Sequence, residues 1–133
     1  MPSIRLVLAD DNPEILETLA DMLQPSYEVA DALVDGQSVL QRVPELKPDV
    51  LILDISLPDM TGFDVARRLK KNGVAAKVIF LTVHENIDFV RAAFDLDAVG
   101  YVYKSRIASD LVPAIDAACS GRRFSSAEMP LRI

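Results

Sequence analysis

Short hydrophobic runs alternate along the chain with segments in which hydrophobic residues recur every three or four positions. Continuous hydrophobic runs of this kind are typical of parallel strands that are buried on both faces of a sheet. One run, residues 27–33, is more polar and is expected nearer the edge of the sheet. The pattern predicts five strands, at residues 4–9, 27–33, 50–54, 78–82 and 99–103.

Each predicted strand is followed by a segment with the periodicity and boundary residues of a helix. The first helix is expected to begin at Pro13, with Asn12 or Asp11 as its cap. Pro113 is expected in the first turn of the last helix, where a missing N–H group costs little. The five helices are predicted to end near Pro25, Pro44, Gly73, Phe94 and Gly121.

Five strand–helix units predict an α/β fold with a doubly wound parallel sheet, because parallel neighbours need helical crossovers. The 133 residues are enough for one domain with a sizeable core. The composition changes at its C-terminal end, where residues 121–133 hold three arginines and one glutamate. We therefore expect one domain at residues 1–120 and a linker or tail at residues 121–133, with Arg122 and Arg123 solvated.

Composition and charge narrow the classes of function. The chain has 14 lysine and arginine residues against 20 aspartate and glutamate residues, and this acidic balance disfavours direct binding to nucleic acid. A single cysteine and a single histidine exclude an internal disulfide and a zinc site built from these residues. Charges or prolines interrupt every hydrophobic run, and no signal pattern is present, so we expect a cytoplasmic protein without membrane contact.

Polar side chains follow the predicted strands at their carboxyl ends, which is where open α/β sheets bind ligands. Each residue alone has an ordinary explanation, such as helix capping, a turn or β-propensity. Their joint position is what favours a functional site. The residues at these strand ends are Asp10, Asp11, Asp54, Thr82 and Lys104.

Crowded carboxylates repel one another unless a cation lies among them. Oxygen ligands without histidine or cysteine favour a hard divalent ion such as Mg²⁺, which keeps positions free for phosphoryl oxygens. A lysine and a hydroxyl beside such a cluster would neutralise and bind the same oxygens. The combination predicts a phosphoryl-transfer site with Asp54 as the nucleophile.

These residues resemble the receiver domain of two-component response regulators. The resemblance rests on Asp10-Asp11, the stretch from Asp54 to Gly62, Leu81-Thr82 and Gly100-Tyr-Val-Tyr-Lys104. It implies a flavodoxin-like (βα)5 fold with the strand order 2-1-3-4-5. The stretches at residues 81–85 and 114–125 resemble the NarL/LuxR-type subfamily more narrowly.

The resemblance implies that Asp54 accepts a phosphoryl group from a sensor histidine kinase or a small phosphodonor. Thr82 and Lys104 would bind the phosphoryl oxygens. The groups that it assigns to Mg²⁺ are Asp11, Asp54, the backbone carbonyl of Ser56 and, through water, Asp10.

The resemblance also implies a switch residue, Tyr101, which moves inward when Thr82 is drawn towards the phosphoryl group. Tyr103 faces the same side of the sheet by the two-residue period of a strand and stays an alternative. Ser56, Val83 and His84 flank the site and are expected to influence dephosphorylation, Val83 through its bulk. His84 is either a ligand of an attacking water or an ordinary loop residue.

The implied activity is that of a switch with self-catalysed phosphorylation and dephosphorylation, and not of an enzyme that turns over an external substrate. The output would be transcription, through a DNA-binding domain that these residues do not contain. The switch surface would change its partner, with a homodimer through the fourth helix, fifth strand and fifth helix as one such interaction. Two alternatives stay open. One is a Mg²⁺-dependent phosphatase with an aspartyl nucleophile, although Asp10-Asp11-Asn12 lacks its usual Asp-x-Asp pattern; the other is a pseudo-receiver that only binds partners.

Overall fold

A computed structural model describes residues 3–127 of the chain. Its single sheet is parallel throughout, and its strands lie in the order β2-β1-β3-β4-β5-β6. The predicted order 2-1-3-4-5 is therefore confirmed, with one strand added at the β5 edge. The strands are β1 (Arg5–Ala9), β2 (Glu28–Leu33), β3 (Val50–Leu53), β4 (Lys77–Thr82), β5 (Gly100–Tyr103) and β6 (Phe124–Ser125).

Five α-helices connect the strands, and a short 3₁₀ turn at Lys104–Arg106 precedes the last of them. The first is capped as predicted, because the Asn12 side chain accepts a hydrogen bond from the Glu14 N–H group at 2.9 Å. Within residues 3–127, no helix has the length and apolar character needed to cross a membrane. The helices are α1 (Pro13–Leu23), α2 (Gly36–Leu46), α3 (Gly62–Lys71), α4 (Ile87–Asp95) and α5 (Ile107–Cys119).

Hydrophobic side chains are buried on both faces of the sheet. One face packs against α2, α3 and α4, which contribute Val39, Val65 and Val90. The other face packs against α1 and α5, which contribute Leu19 and Ile115. Because successive residues of a strand point to opposite faces and both faces are covered, the buried positions of the central strands are hydrophobic on both sides, and this explains their continuous runs.

Two prolines lie inside helices, at positions that differ from those predicted from the sequence. Pro44 does not stop α2, which continues to Leu46, and Pro113 lies in the interior of α5 and not in its first turn. Both prolines are exposed, so each removes one helical hydrogen bond on the solvent side. Burial of neighbours such as Val43 and Ile115 outweighs that local loss.

The segment expected to be a linker or tail contributes a strand. Phe124 and Ser125 pair in parallel with Gly100 and Tyr101, so β6 covers the edge of β5. β6 is only two residues long and half-buried, so no continuous hydrophobic run predicts it.

The loop between β3 and α3 lies tightly against the end of β3. The Gly62 N–H group donates a 2.7 Å hydrogen bond to the carbonyl of Ile55. A Cβ atom on Gly62 would lie 2.3 Å from the backbone carbonyl oxygen of Asp54. The Asp59 carboxylate of the same loop accepts hydrogen bonds from the N–H groups of Gly36 and Gln37, at 2.7 and 2.9 Å, and so links the loop to the start of α2.

We predict that Gly62→Ala destabilises the domain by about 2–3 kcal/mol, because the added methyl group meets rigid backbone. Gly73→Ala is the matched control: Gly73 has a φ of +75° but open space around it, so only about 1 kcal/mol of backbone strain is expected. Urea unfolding of both variants measures the difference. Equal losses in the two variants would contradict the close approach at Gly62.

Candidate functional site

The carboxyl ends of four parallel strands bring the predicted site residues together. Ala9 of β1 lies beside Leu53 of β3, so Asp10 and Asp54, the next residues in the chain, leave the sheet side by side. Thr82 ends β4 opposite Tyr103 of β5, and Lys104 follows directly. The juxtaposition predicted from the strand ends is thus the one that the fold produces.

Three carboxylates form the centre of the site. Asp10, Asp11 and Asp54 each place an oxygen within 4.8 Å of the others. Asp10 and Asp54 are buried, with 2% and 3% of their surface exposed, whereas Asp11 is exposed. One oxygen of each buried carboxylate accepts a local backbone hydrogen bond, Asp10 from Asn12 N–H at 2.9 Å and Asp54 from Ser56 N–H at 3.1 Å.

The Lys104 ammonium balances the second oxygens of both buried carboxylates. Its Nζ atom lies 2.7 Å from Asp10 Oδ2 and 3.0 Å from Asp54 Oδ2. Burial raises the pKa of Asp54, and the Asp10 charge adds to this, while the Ser56 N–H group and Lys104 oppose it. Burial alone would lower the pKa of Lys104, but its bonds to Asp10 and Asp54 reverse this and raise it. Lys104 is therefore fully protonated at neutral pH.

The charge of the cluster fits a divalent cation. Three carboxylates and one ammonium carry a formal charge of −3 + 1 = −2 when all are ionised. Asp10 Oδ2 is buried, and within residues 3–127 the Lys104 ammonium, 2.7 Å away, is the group that compensates its charge. Hard carboxylate oxygens are the ligands that Mg²⁺ prefers. The donor set among the described residues thus suits Mg²⁺.

Thr82 and Tyr101 are connected through the backbone of His84. The Thr82 hydroxyl oxygen accepts a hydrogen bond from His84 N–H at 3.1 Å, and the Tyr101 hydroxyl donates to the His84 carbonyl at 2.6 Å. Thr82 and Tyr101 are both fully buried. Tyr103 is half-buried and meets the Tyr101 ring edge-on, with 6.1 Å between the ring centroids. Tyr101 is thus in an inward position, with its hydroxyl group in the β4–α4 loop.

The flanking residues Ser56 and His84 contact each other across the site. Ser56 Oγ lies 3.0 Å from His84 Nε2, and the His84 ring packs on Phe89 of α4 with 4.6 Å between centroids. Val83 is 65% exposed, so its bulk lies towards solvent at the edge of the site.

Sequence reasoning missed two contacts that shape the site's loops. Asp59 anchors the β3–α3 loop to α2, and the partners lie 23 and 22 residues away in the chain. The Ser56–His84 contact joins two loops that are 28 residues apart. Leu57-Pro58-Asp59 is a typical turn sequence, but nothing in the local sequence indicates such distant partners.

Comparison with known proteins identifies the same region. Residues 6–116 match the response regulator receiver domain family. The uncharacterized transcriptional regulatory protein YvfU of Bacillus subtilis is 34% identical over 128 residues, which cover 95% of this chain and 64% of the relative. The nitrate/nitrite response regulator NarP of Escherichia coli is 32% identical over 124 residues, or 92% of this chain and 58% of the relative. The chain thus spans about three fifths of these relatives.

Solved structures show the same fold. A LuxR-family two-component response regulator from Aurantimonas sp. superposes with a TM-score of 0.86 at 31% identity, over 92% of this chain and 89% of that one. The isolated receiver domain of RcsB from Salmonella enterica, in the presence of the phosphomimetic BeF₃⁻, also gives 0.86, at 27% identity over 93% and 94% of the two chains. Fold, strand-end cluster and sequence agree: the chain belongs to the family of response regulator receiver domains.

Proposed function

We propose that this receiver domain takes a phosphoryl group on Asp54, with Mg²⁺ bound at the neighbouring carboxylates, and changes conformation in response. Receiver domains are signalling proteins that histidine kinases phosphorylate, which makes such a kinase the expected donor. The observation that carries the proposal is the Lys104 ammonium shared by two buried carboxylates next to a third. That arrangement is costly to bury and has no evident role in stability alone.

In the proposed transfer, an oxygen of Asp54 attacks the phosphorus atom of a phosphohistidine or of a small acyl phosphate. A P–O bond to Asp54 forms as the P–N or P–O bond to the donor breaks, and the leaving group takes the electron pair. Lys104 and the Thr82 hydroxyl would stabilise the negative charge on the transferred oxygens. Mg²⁺, held by Asp11, Asp54 and the Ser56 carbonyl and through water by Asp10, would neutralise the remaining charge.

The proposed conformational change starts at Thr82. When its hydroxyl donates to a phosphoryl oxygen, the attached His84 backbone moves with it, and the Tyr101 hydroxyl follows through its hydrogen bond. The burial of Tyr101 supports it as the switch residue in preference to Tyr103, which is half-buried. The contact between Ser56 Oγ and His84 Nε2 supports a role for both residues in controlling the access of water to the phosphoryl group. The exposed Val83 side chain lies at the edge of the same site.

The output is also proposed. Relatives and similar structures of the LuxR and NarL types favour that subfamily for this domain, and with it a role in transcription in the cytoplasm. RcsB, which is similar to this chain at 27% identity, has been solved in complex with DNA. We propose DNA binding for a region outside the receiver domain, which we place at residues 1–120, and not for the receiver domain itself. We also propose that the switch surface of α4, β5 and α5 can form a homodimer.

We predict that acetyl phosphate and Mg²⁺ add one phosphoryl group to the chain, as measured by intact mass. Asp54→Ala should abolish the adduct, and EDTA should do the same. Asp64→Asn is the matched control, because Asp64 is an aspartate of α3 whose partner is Arg67, outside the cluster. If no adduct forms under any condition, and BeF₃⁻ with Mg²⁺ also leaves the nuclear magnetic resonance (NMR) signals of Thr82 and Tyr101 unchanged, the domain is a pseudo-receiver.

Mg²⁺ bound at the carboxylate cluster should stabilise the folded domain. At a Mg²⁺ concentration ten times its Kd, we expect about 1.4 kcal/mol of added stability. Asp11→Asn removes an exposed carboxylate from a cluster of like charge. The variant should therefore be slightly more stable than the wild type in EDTA and gain much less from Mg²⁺. Thermal unfolding in the two buffers measures this, and an undiminished gain in the variant would exclude Asp11 as a ligand.

Lys104→Met should cost about 3 kcal/mol at neutral pH, because it leaves two buried carboxylates without their cation. Without the ammonium, burial and the Asp10 charge would raise the folded-state pKa of Asp54 further above its unfolded value, so the folded variant binds more protons than the unfolded chain. The deficit in stability should accordingly grow from pH 5 to pH 8. Lys77→Met is the control, since Lys77 donates to the Ala118 carbonyl and pairs with no carboxylate among the described residues. Urea unfolding at both pH values tests this, and a pH-independent deficit would contradict it.

A further inference from the structure

Residues 122–127, here called the C-terminal strap, cover the free edge of β5. The Phe124 N–H group donates to the Val99 carbonyl at 3.0 Å, and the Ser126 N–H group donates to the Tyr101 carbonyl at 2.8 Å. These bonds satisfy an edge that would otherwise present unpaired backbone groups. The strap is therefore part of the sheet next to the proposed switch residue.

A buried carboxylate of α5 anchors the end of the strap. Asp110 is 7% exposed, and its Oδ2 atom accepts a 2.7 Å hydrogen bond from the Ser126 hydroxyl. The same hydroxyl oxygen accepts a bond from Tyr103 N–H at 3.1 Å. Arg106 and Ser109 complete the partners of Asp110, each at 2.9 Å. Ser126 thus joins α5, β5 and the strap in one hydrogen-bonded cluster.

The strap also contacts the helices on both faces of the sheet. The Arg123 guanidinium lies over the Phe94 ring of α4, with its carbon 5.5 Å from the ring centroid. Phe124 packs against the hydrophobic cluster on the α1–α5 face. Ala127 packs against the cluster on the opposite face, which contains Tyr101. The strap therefore closes the sheet edge on the side where the Tyr101 ring is buried.

Tyr101 is held from both of its ends. Its hydroxyl group donates to the His84 carbonyl in the β4–α4 loop, and its own carbonyl accepts from Ser126 in the strap. With the strap docked, the Tyr101 ring is fully buried. Ala127 of the strap packs against the hydrophobic cluster that contains the Tyr101 ring, so the docked strap supports the inward position of the ring.

We propose that docking of the strap on β5 and phosphoryl binding at Asp54 stabilise one another through the inward position of Tyr101. The inference rests on the phosphoryl site at Asp54 proposed above. A ligand that favours inward Tyr101 must favour the docked strap, and by linkage the docked strap must strengthen binding of that ligand by the same factor. The strap is then an element through which the state of Asp54 reaches the C-terminal side of the domain.

Hydrogen exchange and ligand affinity test the two halves of this linkage in the full chain. BeF₃⁻ with Mg²⁺ should slow exchange of the Phe124 and Ser126 N–H groups by about fivefold, as measured by NMR. In Ser126→Ala, which removes the anchor to Asp110, the affinity for BeF₃⁻ measured by calorimetry should fall by about the same factor. Arg123→Ala, which loosens the other end of the strap, should shift both quantities in the same direction to a smaller extent.

Ser125→Ala is the matched control, because within residues 3–127 the Ser125 hydroxyl accepts from Ala127 N–H of the strap itself and does not bond to α5 or β5. It should bind BeF₃⁻ like the wild type, and urea unfolding shows whether each variant is folded. If BeF₃⁻ binds but strap exchange is unchanged or faster, or if Ser126→Ala binds it as tightly as the wild type, the coupling is wrong and the phosphoryl site stands. If BeF₃⁻ does not bind the wild type, the phosphoryl site and the coupling fail together.

Discussion

The ammonium of Lys104, shared between the buried carboxylates of Asp10 and Asp54, is the interaction on which the site depends. Two carboxylates this close cannot both stay ionised in a buried place without a cation. The parallel sheet supplies that cation, because it aligns the carboxyl ends of β1, β3 and β5 at one edge. A divalent metal would complete the charge balance that Lys104 begins, and both cations would face the negative charge of a phosphoryl group.

The surrounding loops hold this charged centre and connect it to the rest of the domain. Gly62 allows the β3–α3 loop to lie against the backbone of Asp54, and Asp59 fixes the same loop to α2. On the other side, hydrogen bonds lead from Thr82 through the His84 backbone to Tyr101. These bonds are the route by which, in the proposed switch, a change in charge at Asp54 would displace β5, where the strap is attached.

The parts of the fold that follow from periodicity were predictable, and the parts that depend on distant partners were not. Continuous hydrophobic runs indicated β1, β3, β4 and β5, and the residues after them indicated the site. β6 was not predictable, because two half-buried residues form no periodic pattern. Its position depends on the hydrogen bond between Ser126 and Asp110, which lie far apart in the chain. Pro44 and Pro113 were misplaced because tertiary packing of their helices outweighs a local proline signal.

The central claim is tested most directly by identifying the phosphorylated residue. Borohydride reduces an acyl phosphate of aspartate to homoserine, so the chain treated with acetyl phosphate and Mg²⁺ is reduced, digested and analysed by peptide mass spectrometry. The account predicts homoserine at Asp54 alone, and none when EDTA replaces Mg²⁺. Homoserine at Asp10 or Asp11, or an unreduced Asp54 in a chain that carries the phosphoryl mass, would contradict it.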